Sequence, residues 1–244
     1  MLIAVAVVVA LFAVVAGGYL YYLARTFDSN SSKIEQAFPD ESTRPQKAKP
    51  EPGQAGTPLN ILLMGSDSRG ATGADAEKGA ATDQRANTLM LVHIPADRKN
   101  VYTMSVMRDL WVDIPGHGQA KINADYQRVR NQQEYLKAVV KKSIDGQTLS
   151  NPVTISNLVG AISPYVSVDK SLNAAALGGL ALELKDVRAR NTVMFALPTG
   201  GIGTSADGQS IVLTDPNAIR DISRALASDT LDKYVAANKF QNGN

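Results

Sequence analysis

The stretch "LNILLMGSD", residues 59–67, decides the fold class of this chain. It is a short apolar run that stops at a glycine and a polar loop, which is typical of a buried β-strand. "NTLMLVHIP" (87–95) and "VYTMSVM" (101–107) have the same character, and the polar "ADRKN" between them indicates a hairpin. We therefore expect three neighbouring strands in one sheet.

Helical spacing of apolar residues follows beyond residue 124, interrupted by two short strands, "NTVMFALP" (191–198) and "QSIVLT" (209–214), around a glycine-rich turn. Asn151 and Asp215, each followed by a proline, are expected helix caps. The predicted fold class is α/β, an α+β mixed sheet with flanking helices. Helices are predicted over 125–147, 151–166, 167–187 and 215–228.

The first 24 residues, "MLIAVAVVVALFAVVAGGYLYYLA", carry no charge. About 20 apolar residues are enough to cross a bilayer, so residues 1–24 are predicted to form one transmembrane helix, with tyrosines at its end suited to the headgroup region. A cleaved signal peptide is the alternative, but the apolar stretch is longer than a signal core and no basic residue precedes it. Residues 25–57 contain four prolines and charges of both signs, which predicts a Pro-rich linker.

Composition excludes several classes of function. The chain has no cysteine, so it has no disulfide framework, no thiolate nucleophile and no Cys-ligated zinc. Its net charge of +2 does not indicate a nucleic-acid-binding protein, and no nucleic-acid partner is expected. Two histidines leave little for a His-based metal centre. We interpret His93, inside an apolar strand, as a core or sheet-face residue, and His117 as part of a turn-rich loop over 111–123.

Charged and amide side chains gather at the ends of the three predicted strands, and strands adjacent in a sheet would bring these ends together. Arginine forks hold phosphate oxygens, and a carboxylate among them can hold magnesium, so the pattern indicates a pyrophosphate site. Separate surface ion pairs are the alternative interpretation, while a P-loop is excluded because no Gly-Lys-Ser/Thr follows the first strand. The residues are Asp67 and Arg69, Arg85 and Asn87, and Arg108 and Asp109.

Four motifs carry a resemblance to a known family. "NILLMGSDSR", "RANTLMLVHIPAD", "VMRDLWVDIPGHGQAKINA" and "DYQRVRNQQEYLKAV", after a transmembrane span and a Pro-rich stalk, resemble the LytR-CpsA-Psr family of bacterial cell-wall ligases, in its actinobacterial form. The resemblance implies a family domain over 58–230 and a C-terminal tail over 231–244. It also implies a transferase that takes a glycopolymer from a polyprenyl diphosphate and attaches it, with its phosphate, to a peptidoglycan hydroxyl.

The resemblance also implies roles for individual residues. Arginines together with Mg²⁺ hold the diphosphate in this family, and the lipid lies in an apolar tunnel. Asp109 would orient or deprotonate the acceptor hydroxyl. By motif position the catalytic residues are Arg85, Arg108, Asp109 and Arg128, the substrate-binding residues are Arg69, Lys121, Asn123, Asp125, Arg130 and Gln132, and the metal ligands are Asp67 and Asn87.

Three departures from the family pattern bear on activity. Asn87 stands where the family usually has a second acidic ligand, so metal affinity should be lower. Asn131 replaces an arginine, and Arg130 lies one residue early, about 100° around a helix. "KINA" runs directly into "DYQRV", whereas several helices and strands separate these motifs in the family, which predicts a missing central section near residues 124 and 125.

The sequence leaves more than one function open. A glycopolymer phosphotransferase is expected first, with polyprenyl-diphosphate-linked glycan, peptidoglycan and the lipid bilayer as partners. The alternative is a non-catalytic protein that binds polyprenyl phosphates or wall polymers. A transcriptional attenuator is disfavoured because no helix-turn-helix signal is present. Arg25 and Lys33 after the span would place the body in the cytoplasm, but the family orientation, outside the cell, is expected because the start lacks the usual basic residues.

Overall fold

The computed structural model describes residues 2–35, 37, 56–66, 86–114, 118–122 and 151–240. The helices are α1 (Leu2–Asn30), α2 (Pro152–Ile162), α3 (Ala174–Glu183), α4 (Pro216–Ala227) and α5 (Leu231–Ala237). The strands are β1 (Ser32–Ile34), β2 (Leu59–Ser66), β3 (Ala86–Ile94), β4 (Val101–Val106), β5 (Trp111–Ile114), β6 (Gly118–Lys121), β7 (Ser167–Asp169), β8 (Thr192–Ala196), β9 (Thr199–Thr204) and β10 (Ser210–Thr214).

The chain divides into two compact units. We call the first the anchor unit; its described residues are 2–35, 37 and 151–182. The second is the sheet unit, with described residues 56–66, 86–114, 118–122 and 183–240. Each is described by itself below.

A four-stranded sheet in the order β2-β3-β4-β8 forms the centre of the sheet unit. β2, β3 and β4 are antiparallel to their neighbours, as the predicted hairpin requires, while β8 pairs with β4 in parallel. The three strands predicted from apolar runs are therefore confirmed, and so is the mixed sheet with flanking helices. The predicted burial of the first strand is wrong, since Leu62, Leu63 and Met64 of β2 are 48%, 43% and 64% exposed.

One face of this sheet carries the hydrophobic core. The register places Tyr102 beside Val193 and Met104 beside Phe195. Phe195 has no exposed surface and stacks on Phe240 at 5.4 Å between ring centroids. Helices α4 and α5 cover this face with Ile222, Ala225, Leu231 and Val235.

This packing corrects the prediction of a C-terminal tail over 231–244. Leu231 and Val235 lie four positions apart, on one side of α5, and both are buried in the core. Because i and i+4 residues share a helix face, a seven-residue helix is enough to dock here. Residues 231–240 therefore belong to the folded unit.

The predicted helix caps are confirmed. The carboxylate of Asp215 accepts hydrogen bonds from the backbone N–H groups of Asn217 and Ala218, and the side chain of Asn151 caps α2 in the same way. Other boundaries differ from the prediction: residues 167–169 form β7, so α3 begins only at Ala174, and the loop predicted over 111–123 contains the β5–β6 hairpin. The glycine-rich turn is itself a strand, β9.

The anchor unit begins with α1, whose segment Ala10–Asn30 is long and apolar enough to cross a membrane. The helix runs six residues past the boundary predicted at residue 24, and β1 then pairs in parallel with β7. The first part of the predicted linker is therefore structured. Asp28 explains part of this, because its carboxylate accepts hydrogen bonds from the Ala174 N–H and the Lys33 ammonium, both at 3.0 Å.

His93 is a core residue, as predicted, and only 1% of it is exposed. Its Nδ1 lies 2.7 Å from the Asn60 side-chain oxygen and its Nε2 lies 3.1 Å from the Asp229 carboxylate. Asp229 also accepts a hydrogen bond from the Ala96 N–H at 3.0 Å. The imidazole therefore joins β2 and β3 to the segment between α4 and α5.

We expect His93 to make the sheet unit less stable in acid. Burial lowers the pKa of His93 below its ordinary value of 6.5, and the Asp229 carboxylate offsets part of this effect. The imidazole of His93 therefore binds a proton more readily in the unfolded chain than in the folded one. The free energy of unfolding is retained above about pH 6.5 and falls as the pH drops from there towards the lowered pKa of the folded state. Thermal unfolding of the full chain in detergent, at about pH 7.5 and about pH 5.5, measures the loss.

His117→Gln is the matched control, since the chain has only two histidines. The His117→Gln variant should keep the acid-induced fall in melting temperature. His93→Gln should be less stable at neutral pH, because it disturbs two buried hydrogen bonds, but should lose less on acidification. An unchanged pH dependence in His93→Gln would show that other groups cause the effect.

Candidate functional site

Three strand ends meet at one edge of the sheet, as the sequence predicts. The last pairs of the two ladders are Ser66 with Ala86, on β2 and β3, and Leu89 with Val106, on β3 and β4. The C-terminal ends of β2 and β4 therefore flank the start of β3. We call this end of the sheet, where these three strand ends meet, the strand-end edge.

The backbone is tightly packed where β2 reaches this edge. The register between β2 and β3 shifts between Gly65 and Ser66. A Cβ atom on Gly65 would lie 3.2 Å from the Cβ of Thr88, so a larger residue would require Thr88 to shift by a few tenths of an ångström. Glycine at this position lets β2 end close against β3, directly before Asp67 in the chain.

Arg108 lies in the turn that follows β4, where the Leu110 N–H donates to the Met107 carbonyl oxygen at 3.2 Å. Its Nε atom is buried, and no described residue accepts a hydrogen bond from it. A buried donor without a partner costs about 1–3 kcal/mol. Such a guanidinium group is suited to an anionic ligand, because its planar N–H fork matches phosphate and carboxylate oxygens.

Asp109 and Lys121 are brought together by the β5–β6 hairpin. The Lys121 ammonium lies 3.5 Å from the Asp109 carboxylate, and both side chains are partly exposed. The backbone fixes Asp109 further, since its carbonyl oxygen accepts a hydrogen bond from the Val212 N–H at 2.8 Å. Trp111 pairs with Lys121 across the hairpin and donates to the Gln119 side chain at 3.1 Å. The guanidinium group of Arg108, the carboxylate of Asp109 and the ammonium group of Lys121 thus all lie near the C-terminal end of β4.

The loop between β9 and β10 adds a residue that sequence reasoning did not single out. Hydrogen bonds from the Ser205 hydroxyl and the Gln209 amide lower the pKa of Asp207, and the charge of Lys121 adds to this effect. Asp207 is therefore ionised under ordinary conditions and lies within the field of Lys121. The available signal was the polar "SADGQ" between two apolar stretches, which the sequence shows only as a turn.

Most of the other predicted site residues lie outside the described part of the chain. For Asn87 only the backbone, within β3, is described. Within the described ranges, no group of three His, Cys, Asp or Glu side chains is placed to hold a metal ion. The residues outside are Asp67, Arg69, Arg85, Asn123, Asp125, Arg128, Arg130 and Gln132.

A cavity of about 380 Å³ lies elsewhere in the sheet unit, beside α4 and α5. Two of its lining residues, Asp215 and Asp221, are acidic, and none of the described residues that line it is basic. A diphosphate would be repelled there, since like charges in a partly enclosed space are unfavourable. The strand-end edge, with Arg108 and Lys121, is therefore the better anion site.

Comparison with known proteins identifies the family. Over 68 residues, 28% of this chain, the sequence is 35% identical to the regulatory protein MsrR of Staphylococcus aureus. Over a region of the same length it is 37% identical to TagU of Oceanobacillus iheyensis, a polyisoprenyl-teichoic acid–peptidoglycan teichoic acid transferase. The matched region spans 18% of the length of each of these relatives.

The fold agrees with this relationship. The LytR-Csp2A-Psr enzyme from Actinomyces oris superposes with a TM-score of 0.52 at 16% identity, covering 81% of this chain and 96% of that one. The sequence pattern of the LytR_cpsA_psr family matches residues 21–126 and 121–228, two segments that meet where the sequence predicts a missing section. Together these segments cover most of the sequence, and the chain belongs to the LytR_cpsA_psr family.

Proposed function

We propose that this chain is a membrane-anchored phosphotransferase that attaches polyprenyl-diphosphate-linked glycopolymers to peptidoglycan. The observation that carries the proposal is the buried Nε of Arg108, without a partner among the described residues, directly before Asp109 at the strand-end edge. A diphosphate oxygen would satisfy that donor. Family membership and the transferase named TagU support the same reaction class.

The proposed step forms one P–O bond and breaks another. The peptidoglycan hydroxyl attacks the phosphorus that bears the glycan, the bridging P–O bond of the diphosphate breaks, and polyprenyl phosphate leaves. Arg108 and Arg85 neutralise the negative charge that grows on the leaving phosphate, which is the main demand of phosphoryl transfer on a protein. Asp109 orients the acceptor hydroxyl and takes its proton, while Lys121 holds the carboxylate in place.

A divalent cation, Mg²⁺, is part of the proposal. Asp67 follows the last residue of β2 in the sequence and Asn87 lies at the start of β3, so both residues would supply oxygen ligands from the same end of the sheet. Carboxylate and amide oxygens are suitable magnesium ligands, and the bound ion would supply positive charge next to the diphosphate. Binding should be weaker than at a site with two carboxylates, because the Asn87 amide is neutral.

The remaining predicted residues complete the proposed substrate site. Arg128 would contact the diphosphate with the other catalytic arginines. The residues proposed to bind substrate are Arg69, Lys121, Asn123, Asp125, Arg130 and Gln132.

The anchor would hold this chemistry at the membrane. α1 would be a single-pass span, and the sheet unit would lie on the extracytoplasmic side, where peptidoglycan is exposed. The lipid-linked donor and the site would then be at the same membrane.

A non-catalytic protein that binds polyprenyl phosphates or wall polymers is the second candidate. Two observations favour it: the neutral Asn87 in the predicted metal slot, and the family match that falls into segments meeting at 121–126. Loss of the section between "KINA" and "DYQRV" would remove part of the family site while leaving Arg108 able to hold a phosphate.

A turnover assay separates the two candidates. The full chain in vesicles is supplied with a polyprenyl-diphosphate glycan, Mg²⁺ and peptidoglycan, and polyprenyl phosphate and peptidoglycan-linked glycan are measured. We expect both products, and Asp109→Asn should bind the donor but release much less product. Donor binding with no product from the unchanged chain would favour the non-catalytic protein. Specific, salt-sensitive DNA binding would instead favour an attenuator.

A further inference from the structure

The part of the anchor unit formed by residues 151–182 is almost free of charge. Asp169 and Lys170 are its only charged residues, although 20% of the whole chain is charged. Helix α2 buries none of its residues, and two of its exposed side chains are Val153, 66% exposed, and Ile162, 49% exposed. A helix that lies in water normally presents charged residues on its open face.

Helix α2 runs beside the last turns of α1, in the same direction. At its start, the Tyr19 hydroxyl donates to the Pro152 carbonyl oxygen at 2.7 Å. Beyond its end, the Ser32 N–H donates to the Val166 carbonyl oxygen at 3.0 Å. The first turn of α2 is thereby held at the level of Tyr19.

Tyr19 lies within the uncharged stretch of α1, five residues before Ala24 and six before Arg25, the first charged residue. At 1.5 Å per residue, Tyr19 lies about 9 Å before the first charge along the helix axis. A tyrosine at that depth is typical of the boundary between headgroups and hydrocarbon. Residues 152 and 153 therefore share the depth of this boundary.

The backbone N–H groups at the start of α2 are hydrogen-bonded within the chain, as a region poor in water requires. The first helical residue, Pro152, has no N–H, and the Asn151 side chain accepts from the N–H groups of Val153 and Thr154 at 3.0 and 3.3 Å. The donors that a helix start leaves free are thus used within the chain. Backbone groups at membrane depth must be satisfied in this way because lipid offers no hydrogen bonds.

We propose that the first turn of α2 enters the interfacial layer of the bilayer, with Val153 in contact with lipid. The inference rests on α1 spanning the membrane, and it adds a second contact to the proposed single-pass anchor. The occupant is the bilayer because α2 is hydrogen-bonded to the span itself. This contact fixes the tilt of the anchor unit relative to the membrane surface.

Single-cysteine labelling tests the proposal, since the natural chain has no cysteine. Val153→Cys, Ile162→Cys and Leu11→Cys in the full chain are each labelled with an environment-sensitive fluorophore and reconstituted in phosphatidylcholine–phosphatidylglycerol vesicles containing spin-labelled lipid. Leu11, in the span, reports insertion of α1. Lys170→Cys is the matched control, because the Lys170 side chain is 65% exposed and its ammonium lies 3.9 Å from the carboxylate of Glu35, five residues past the end of α1.

We expect strong lipid quenching at position 11, several-fold stronger quenching at 153 than at 170, and an intermediate value at 162. Equal quenching at 153 and 170, with position 11 quenched, would overturn the lipid contact while leaving the anchor intact, whether water or a second copy covers α2. No quenching at position 11 would show that α1 does not insert. That result would overturn both this inference and the anchoring part of the proposed function.

Discussion

Arg108→Ala should lower turnover by about 10²–10³-fold without lowering the stability of the sheet unit, because the side chain would act only on the diphosphate. The Nε of Arg108 is buried without a partner among the described residues. Removing it removes an unsatisfied donor, so unfolding should occur at the same temperature or a slightly higher one. A structural arginine would show the opposite, with lower stability and unchanged activity per folded molecule.

Turnover is measured with the reconstituted chain, and stability is followed by the fluorescence of Trp111, the single tryptophan. The Arg224→Ala variant is the matched control, since Arg224 lies on α4 and its side chain is 72% exposed. It should leave both quantities unchanged. Arg108→Lys should recover only part of the activity, because an ammonium keeps the charge but lacks the planar fork.

Donor binding provides a further check on the same variant. Farnesyl diphosphate, a short isoprenoid diphosphate, should bind the Arg108→Ala variant more weakly than the natural chain. The loss should shrink at high salt, where charge–charge attraction is already screened. Equal binding by both proteins, with equal turnover, would remove Arg108 from the site.

The centre of the sheet was predictable because its strands are apolar runs bounded by polar turns. β3 and β4 bury side chains such as Met90, Met104 and Ser105, whereas the apolar run of β2 stays partly exposed although the sequence predicts a buried strand. The strand-end edge followed from the same reasoning, since strands joined in sequence are usually neighbours in space. Arg108 and Asp109 were therefore identified together.

The local sequence pattern did not predict strand β9. Its glycines usually indicate a turn, but here they are needed for close packing against β10. A Cβ on Gly200 would lie 2.8 Å from the Thr214 carbonyl oxygen, and one on Gly203 would lie 3.0 Å from the Leu213 side chain. Glycine lets β9 lie directly against β10, whereas the sequence shows only turn-forming residues.

The ion pair between Lys121 and Asp109 could not be predicted from the sequence either, because it depends on a hairpin that the sequence does not show. "IPGHGQ" looks irregular, yet Gly118 adopts a φ of 73°, which glycine tolerates, and β6 turns back onto β5. Lys121 thereby reaches a carboxylate twelve residues earlier in the chain. The resemblance assigned both residues to a site, but only the hairpin explains how one supports the other.

Phe195→Ala should cause a large loss of stability, because Phe195 is the largest fully buried side chain in the described part of the chain. Phe195 has no exposed surface, stacks on Phe240 and packs in the same cluster as Met104 and Ile222. Truncating a buried phenylalanine costs about 3–5 kcal/mol, through lost burial and the cavity left behind. Since a domain is typically stable by about 5–15 kcal/mol, a large fraction of the sheet unit would unfold on mild warming.

Urea unfolding in detergent, followed by Trp111 fluorescence, measures this loss. Ile202→Ala is the control for removing an apolar side chain, because Ile202 is 75% exposed, and it should change stability by less than about 0.5 kcal/mol. Phe195→Leu should lie between the two, since leucine refills part of the space. A Phe195→Ala loss no larger than that of Ile202→Ala would mean that the core relaxes around the cavity.

The turnover of the Phe195→Ala variant shows whether Phe195 only supports the fold around the site or takes part in the reaction. Met107 and Leu110, which flank Arg108 and Asp109, belong to the same cluster as Phe195. At a low temperature, where the sheet unit is still folded, turnover per folded molecule should be close to that of the natural chain. On warming, turnover of the Phe195→Ala variant should fall together with the folded fraction, whereas Arg108→Ala should stay folded and inactive at both temperatures.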